Sequence, residues 1–285
     1  MRSLPAKLLQ VVWAAVLAFL ILGAGQGIWG VLFVANIRTS PAVPWSVPVM
    51  SLALWLMWQY LGGKWWPSST SATRKRNLRA NRVPGEVYAW SFVAGIFAIV
   101  ALAGYRIVLS QMMRTPPNAL ADSSQYPALT AALAILMASL VSPVTEEAAF
   151  RGYCQVILER EFSAPVAILA SSFFFMLAHL TQGFFWPKLA IYFLVGAVFG
   201  STAYISNSTL PALPVHVAGD VIFFTLVWPH DAGRQSVSKG ADWWLWIHLG
   251  QAILFSVMTL VAFVRLSRIG QQWRIGNRAG TVLTR

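Results

Sequence analysis

A long uncharged segment near the start of the chain, residues 8–34, reads LLQVVWAAVLAFLILGAGQGIWGVLFV. About 20 predominantly apolar residues in a helix are enough to cross the hydrocarbon core of a bilayer. The segment also exceeds the roughly 7–15 residues of the apolar region in a signal peptide. It therefore predicts an uncleaved first transmembrane helix.

The composition of the whole chain agrees with a membrane protein. Of its 285 residues, 57% are apolar and 11% are charged, whereas about a quarter of a soluble globular chain is charged. The net charge of +12 does not indicate a nucleic-acid partner, because the 14 Trp and 17 Phe residues lie largely in long apolar runs. Excess Lys and Arg in a membrane protein orient it and contact anionic lipid. The single cysteine, Cys154, excludes an intramolecular disulfide.

The other apolar runs predict an all-α fold, a polytopic transmembrane helical bundle of about eight spans. We expect three parts: N-terminal spans with a basic loop, a central helical core, and a last span with a basic tail. These parts comprise residues 1–127 (with the loop at 62–86), 128–228 and 229–285. The predicted spans lie near residues 8–34, 43–61, 87–112, 128–158, 165–181, 189–205, 210–228 and 243–264.

Most of the basic residues lie in two segments, the loop at 62–86 and the tail after Val264. Lys and Arg accumulate on the cytoplasmic side of membrane proteins. With eight spans, both segments face the cytoplasm if the N-terminus does. This predicts a multi-pass protein of the bacterial cytoplasmic membrane with both termini in the cytoplasm.

Ionisable residues inside spans are costly and mark functional sites by default. Two of those present have simpler explanations: Arg106 lies near the end of a span and can reach its surface, and His248 lies within a tryptophan-rich interfacial belt. His230 and Asp231 fall in a polar connection. The remaining candidates occur in three short stretches, and they are Glu146, Glu147, Arg151, His179, His216 and Asp220.

The first stretch, SPVTEEAAFR at residues 142–151, combines a helix-start signal with two carboxylates. Ser followed by Pro predicts a helix that starts or restarts at Ser142. Glu147 and Arg151 are four residues apart, so they share a helix face and can neutralise each other. Glu146 points about 100° away and has no such basic partner within the stretch. An unpaired carboxylate in apolar surroundings binds protons readily, as a general base requires.

The second stretch, FFFMLAH at residues 173–179, ends in a histidine. The charged turn at residues 159–161 predicts an antiparallel hairpin between this helix and the preceding one. At 1.5 Å per residue, Glu146 and His179 lie roughly 24 Å and 25 Å from that turn on opposite arms. They are therefore expected to face each other.

The third stretch, LPALPVHVAGD at residues 210–220, places His216 and Asp220 on one helix face. Pro211 and Pro214 suit the first turn of a helix, so His216 lies near its positive dipole end. Such an end favours developing negative charge, as at an oxyanion site. However, a straight residue count leaves His216 only about 9 Å from the turn at 206–209. The motifs can meet only if helices tilt or if that turn lies inside the bundle.

The order Glu-Glu-x-x-x-Arg, Phe-x-x-x-His and His-x-x-x-Asp on apolar helices resembles the CAAX proteases and bacteriocin-processing enzymes. This family, also called CPBP or Abi, includes type II CAAX prenyl endopeptidases, and the resemblance covers about residues 128–228. It implies that Glu146 and His179 activate a water and that His216 and Asp220 stabilise the oxyanion. Glu147 and Arg151 are the supporting residues. The chain departs from eukaryotic-type members at Asp220, where they usually have Asn.

The leading hypothesis is an intramembrane endopeptidase that cleaves a membrane-associated peptide or protein with a glutamate- and histidine-activated water and no cofactor. Zinc held by the same histidines and carboxylates is an alternative, although no His-Glu-x-x-His helix is present. A non-catalytic scaffold or bacteriocin-immunity-type protein is a second alternative. A proton-coupled transporter is a third, but it predicts inverted repeats, which the sequence lacks.

Overall fold

A computed structural model shows a bundle of helices packed side by side. The model describes residues 3–40, 42–113, 126–227 and 241–283. Every regular element in these ranges is helical, which confirms the predicted all-α class. The helices are α1 (Leu4–Ile37), α2 (Ser46–Leu61), α3 (Ser71–Leu78), α4 (Gly85–Met112), α5 (Ala128–Glu146), α6 (Gln155–Leu158), α7 (Ala164–Ala178), α8 (Trp186–Ser206), α9 (Leu213–Ile222) and α10 (Trp243–Leu283).

Six helical stretches in the described part of the chain are long and apolar enough to cross a membrane. Two of the eight predicted spans, Ser46–Leu61 and Leu213–Thr225, are shorter apolar helices. The lipid-facing residues are apolar as well, and many large hydrophobic side chains on α1, α2 and α10 are exposed. The chain is therefore a polytopic helical bundle, as the sequence predicts.

Helix α5 does not restart at Ser142, and this prediction was wrong. The helix runs from Ala128 to Glu146 with Pro143 in its interior, and it continues as a π-helical segment over Glu147–Cys154. Proline removes one backbone donor, but packing against neighbouring helices keeps such a residue inside a membrane helix. The π-helical segment follows directly, and π-helical turns are frequent at functional sites.

Close contact between α1 and α5 depends on a glycine. A Cβ atom added at Gly25 would lie only 2.1 Å from Cγ2 of Thr145. Small residues at such crossings allow the two backbones to approach. This contact holds α1 at Gly25 against Thr145, the residue that precedes Glu146.

The turn between α8 and α9 is buried under the basic loop. The backbone N–H of Thr209 donates to the Arg79 carbonyl oxygen at 3.0 Å, and the Ser208 hydroxyl donates to the Asn81 carbonyl oxygen at 2.6 Å. Arg79 also pairs with Glu159 at the tip of the α6–α7 hairpin. The loop thus provides hydrogen-bond partners for polar groups of the α8–α9 turn, which burial in the bundle would otherwise leave unpaired.

This arrangement brings His216 to the depth of Glu146. The end of α3 reaches into the bundle, where a Cβ at Gly152 would lie 3.0 Å from the Asn77 carbonyl oxygen. Gly152 and Thr209 thus lie in one layer with the end of α3. Glu146 is six residues from Gly152, and His216 is seven residues from Thr209, so each lies roughly 10 Å from this layer. The buried turn therefore removes the mismatch found by counting residues.

Candidate active site

Glu146 lies at the end of α5, buried and held by hydroxyl and amide donors. Its Oε1 accepts hydrogen bonds from the Ser142 hydroxyl at 2.7 Å and from Nε2 of Gln26 at 3.0 Å. Its Oε2 lies 3.3 Å from Nε2 of His216. The sequence predicts no basic partner for Glu146 within its own stretch, and the structure gives it none there. The prediction of an unpaired carboxylate was wrong, because Glu146 lies against His216 of α9 and accepts a hydrogen bond from Ser142.

His216 is in contact with both motif glutamates. It is buried near the start of α9, and its Nδ1 lies 2.9 Å from Oε1 of Glu147 while its Nε2 faces Glu146. Ionised carboxylates only accept hydrogen bonds. Both ring nitrogens must therefore donate for both contacts to be hydrogen bonds, so the site favours the imidazolium form of His216.

Glu147 and Arg151 form the predicted ion pair inside the bundle. Nη1 of Arg151 lies 3.4 Å from Oε1 of Glu147, and the two side chains are 1% and 0% exposed. The guanidinium lies 4.2 Å from the ring centre of Phe175 and 5.4 Å from that of Phe199. Aromatic faces stabilise a cation there. Because Glu147 also accepts from His216, it connects Arg151 to the histidine.

His179 lies at the end of α7, and its orientation is set by two neighbours. Its Nδ1 lies 2.8 Å from the Phe175 carbonyl oxygen, and its ring stacks on Tyr192 with 3.8 Å between ring centres. A carbonyl only accepts, so Nδ1 carries a proton, and in the neutral ring Nε2 then keeps its lone pair. His179 interacts electrostatically with Glu146 and with His216, and the structure gives it no direct hydrogen bond to either side chain.

Asp220 lies one helical turn beyond His216, at the margin of the cluster. Its Oδ1 is 4.0 Å from Nε2 of His216, farther than either glutamate. Glu147, rather than Asp220, is therefore the carboxylate that orients His216.

Asp220→Asn is expected to keep substantial activity, whereas Asp220→Ala is expected to lose about 10²–10³-fold, the typical cost of removing an oxyanion-site group. An amide of the same size can donate a hydrogen bond, and an ionised carboxylate would repel a developing oxyanion. The measurement is the cleavage rate of both variants in detergent, with thermal unfolding as the folding control. If folded Asp220→Asn is as inactive as Asp220→Ala, the carboxylate itself is required.

The two candidates with simpler explanations contact residues other than the two motif glutamates and His216. His248 on α10 stacks on Trp244, and its Nδ1 lies 3.0 Å from Oε1 of Gln251. The guanidinium of Arg106 lies 5.7 Å from the ring centre of Phe223. His230 and Asp231 lie outside the described residues.

Sequence reasoning missed three contributors to the site: Gln26, Ser142 as a hydrogen-bond donor, and Tyr192. Gln26 carried a weak signal, because it is a polar residue deep within an apolar span, and such residues usually have a partner. Tyr192 carried no signal, because a tyrosine in an apolar helix is unremarkable. Its role depends on where α8 lies against α7.

The donor groups do not fit zinc in this arrangement. Among the described residues, no three His, Cys, Asp or Glu side chains are placed to hold a metal ion. A histidine ligand must offer a nitrogen lone pair to the metal. Both nitrogens of His216 face carboxylate oxygens instead.

A comparison with protein families matches residues 128–222 to the model described as type II CAAX prenyl endopeptidase Rce1-like. No curated protein and no solved structure matches the chain. The matched segment contains all six motif residues, from Glu146 to Asp220, and it leaves out α1. The family resemblance drawn from the motifs is thereby confirmed: over residues 128–222, this multi-pass membrane protein is similar to the type II CAAX prenyl endopeptidases described as Rce1-like.

Proposed function

We propose that the protein hydrolyses a peptide bond of a membrane-associated peptide or protein, with Glu146 as the general base. The match of residues 128–222 to a protease family supports peptide hydrolysis at the coarse level. The observation that carries the specific proposal is the geometry around Glu146, where two donors hold Oε1 and Oε2 faces His216. One carboxylate oxygen is thus anchored while the other faces the cationic side of the site.

In the first step, a water between Glu146 and His179 loses a proton to Glu146. The Nε2 lone pair of His179 accepts the second hydrogen of this water as a hydrogen bond and orients it. The resulting hydroxide attacks the scissile carbonyl carbon, and the carbonyl oxygen becomes an oxyanion. A positioned general base typically contributes about 10²–10⁴ in rate.

In the second step, His216 stabilises the oxyanion. Protonation makes Glu146 neutral, which weakens its attraction for the Nε2–H of His216 and frees that donor for the oxyanion. Glu147 and Arg151 hold the imidazolium in place through Nδ1. When the intermediate collapses, the carbon–nitrogen bond breaks, and Glu146 returns its proton to the leaving amine. The products are a fragment that ends in a carboxylic acid, which then releases its proton, and a fragment that ends in an amine. Glu146 is again a carboxylate, so the enzyme is regenerated.

The site lies roughly 10 Å from the layer formed by the basic loop and the α8–α9 turn. Glu86 at the start of α4 and Arg265 on α10 lie 3.8 Å apart, so the basic loop and the basic tail belong to the same end of the bundle. This supports the proposal that the basic end, with both termini, faces the cytoplasm of a bacterial cell. Cleavage is then expected in the cytoplasmic half of a substrate's membrane segment.

The test is proteomics of membrane peptides from cells with the wild-type protein and cells with Glu146→Gln. We expect one or a few proteins to accumulate uncleaved in the variant. The wild-type cells should contain the new termini near the cytoplasmic end of a membrane segment. Identical peptide patterns in the two strains would contradict an endopeptidase and favour the non-catalytic scaffold or immunity-type protein.

A second expected result concerns the cofactor. Cleavage by purified protein should be unaffected by a tight zinc chelator, because the proposed steps use only side chains and water. The measurement is the initial rate with and without chelator, followed by zinc addition. Loss of activity with recovery on zinc addition would instead establish the metal-dependent alternative.

A further inference from the structure

Gln26 of α1 contacts the proposed general base directly. Its Nε2 donates to Oε1 of Glu146 at 3.0 Å and lies 3.4 Å from the Ser142 hydroxyl. The same hydroxyl donates to that carboxylate oxygen at 2.7 Å. Gln26 and Ser142 therefore hold one oxygen of Glu146 from two directions, which fixes the rotation of the carboxylate.

The position of Gln26 is itself set by close helix packing. The neighbouring residue, Gly25, is buried and lies against Thr145, where a Cβ would come within 2.1 Å of Cγ2. The backbone of α1 therefore approaches α5 beside Glu146, and a side chain the length of glutamine can reach the carboxylate. Helix α1 lies outside residues 128–222, the segment matched by the family model.

We propose that Gln26 is a positioning residue for catalysis, supplied by a helix outside the segment that the family model matches. This inference rests on the proposed function. By occupying Oε1, the amide directs the free Oε2 of Glu146 toward His216 and the reacting water. Without it, the carboxylate can rotate, and its more basic oxygen no longer faces the water in a single orientation.

A purely structural role for Gln26 is the competing explanation, because any amide at this depth needs hydrogen-bond partners. The two roles differ in what they change. A structural amide affects the amount of folded protein, whereas a positioning amide affects kcat of the folded protein. Substrate binding, and therefore KM, should change little in either case.

The test compares Gln26→Met with Gln10→Met in purified protein. Methionine has nearly the length of glutamine but no N–H donor, and Gln10 lies on the same helix outside the Glu146 cluster. We expect kcat to fall roughly 10- to 100-fold for Gln26→Met, the effect of losing one hydrogen bond to a charged group. KM should stay within about twofold, because a group that acts only in the transition state changes kcat and leaves KM nearly unchanged. Gln10→Met should leave kcat unchanged.

Two further measurements separate the possible outcomes. Gln26→Asn keeps a donor that is one carbon shorter, so partial recovery of kcat relative to Gln26→Met is expected. A double-mutant cycle of Gln26→Met with Glu146→Met, read by melting temperature, should show non-additive effects, because each variant removes the hydrogen bond between the two side chains. This readout needs no activity. If wild-type protein cleaves nothing while the cycle is non-additive, the proposed function fails and the contact stands. A kcat for folded Gln26→Met within twofold of wild type, or an equal loss in Gln10→Met, overturns the positioning role.

Discussion

Glu146→Gln is expected to reduce peptide-bond cleavage by about 10²–10⁴-fold, the usual contribution of a positioned general base. Glutamine keeps the size of the side chain, and its carbonyl oxygen can still accept from Ser142 and Gln26. It cannot take a proton from water at neutral pH. The fold should persist, because Glu147 still neutralises the buried His216. The measurements are the turnover of a cleaved substrate and the melting temperature in detergent.

The control for this variant is Glu86→Gln. Glu86 is also a glutamate near a basic partner, but its side chain is 58% exposed and lies 3.8 Å from Arg265 at the end of the bundle. The control should change neither rate nor stability noticeably. Cleavage by Glu146→Gln within tenfold of the wild-type rate would show that another group takes the proton from the water.

Glu147→Leu is expected to destabilise the protein by about 3–5 kcal/mol, because it leaves Arg151 buried without its carboxylate. The Arg151 side chain is 1% exposed, and among the described residues Glu147 is the only carboxylate within salt-bridge distance of it. Arg151→Met should cost less, since Glu147 keeps His216 as a cationic partner 2.9 Å away. The measurement is the free energy of unfolding of each variant in the same detergent.

The double variant Glu147→Leu with Arg151→Met separates folding from catalysis. Replacing a buried ion pair by apolar side chains of similar volume is often neutral or stabilising, so we expect much of the lost stability to return. Cleavage should remain low, because His216 has lost the carboxylate that orients its Nδ1. If activity returns together with stability, Glu147 serves only the fold. The exposed pair of Glu86 and Arg265 offers a matched comparison, where Glu86→Leu should cost no more than roughly 1 kcal/mol.

The structure brings Glu146, Glu147, Arg151 and His216 together, and the pairings among them differ from those predicted. The sequence paired Glu147 with Arg151, and the structure adds His216 to this pair. The sequence assigned His216 to Asp220, and the structure places both glutamates closer to it. A spacing of four residues reveals pairs within one helix. Contacts between α5 and α9 depend on the depth and rotation of two separate helices, which spacing does not encode.

The depth of α9 illustrates this limit. Counting residues predicted that His216 and Glu146 can meet only if helices tilt or if the 206–209 turn lies inside the bundle. In the structure this turn is buried. Its Ser208 hydroxyl and its Thr209 N–H donate hydrogen bonds to the carbonyl oxygens of Asn81 and Arg79. The sequence of the polar loop at 62–86 did not predict that the end of α3 inserts into the bundle, because the charges of the loop are equally consistent with a solvated loop.

The sequence alone determined the helical class, the apolar stretches long enough to cross a membrane and the candidate residues of the site. Long uncharged runs can satisfy their backbone in lipid only as helices, and the cost of burying charge confines ionisable residues to places where they have partners or a function. The tertiary structure decided which partner each residue has, including the contact of Gln26 with Glu146 and the continuity of α5 through Pro143. The physical reason is that a membrane helix is apolar on its lipid-facing and protein-facing sides alike, so its hydrophobic pattern does not show which face turns inward.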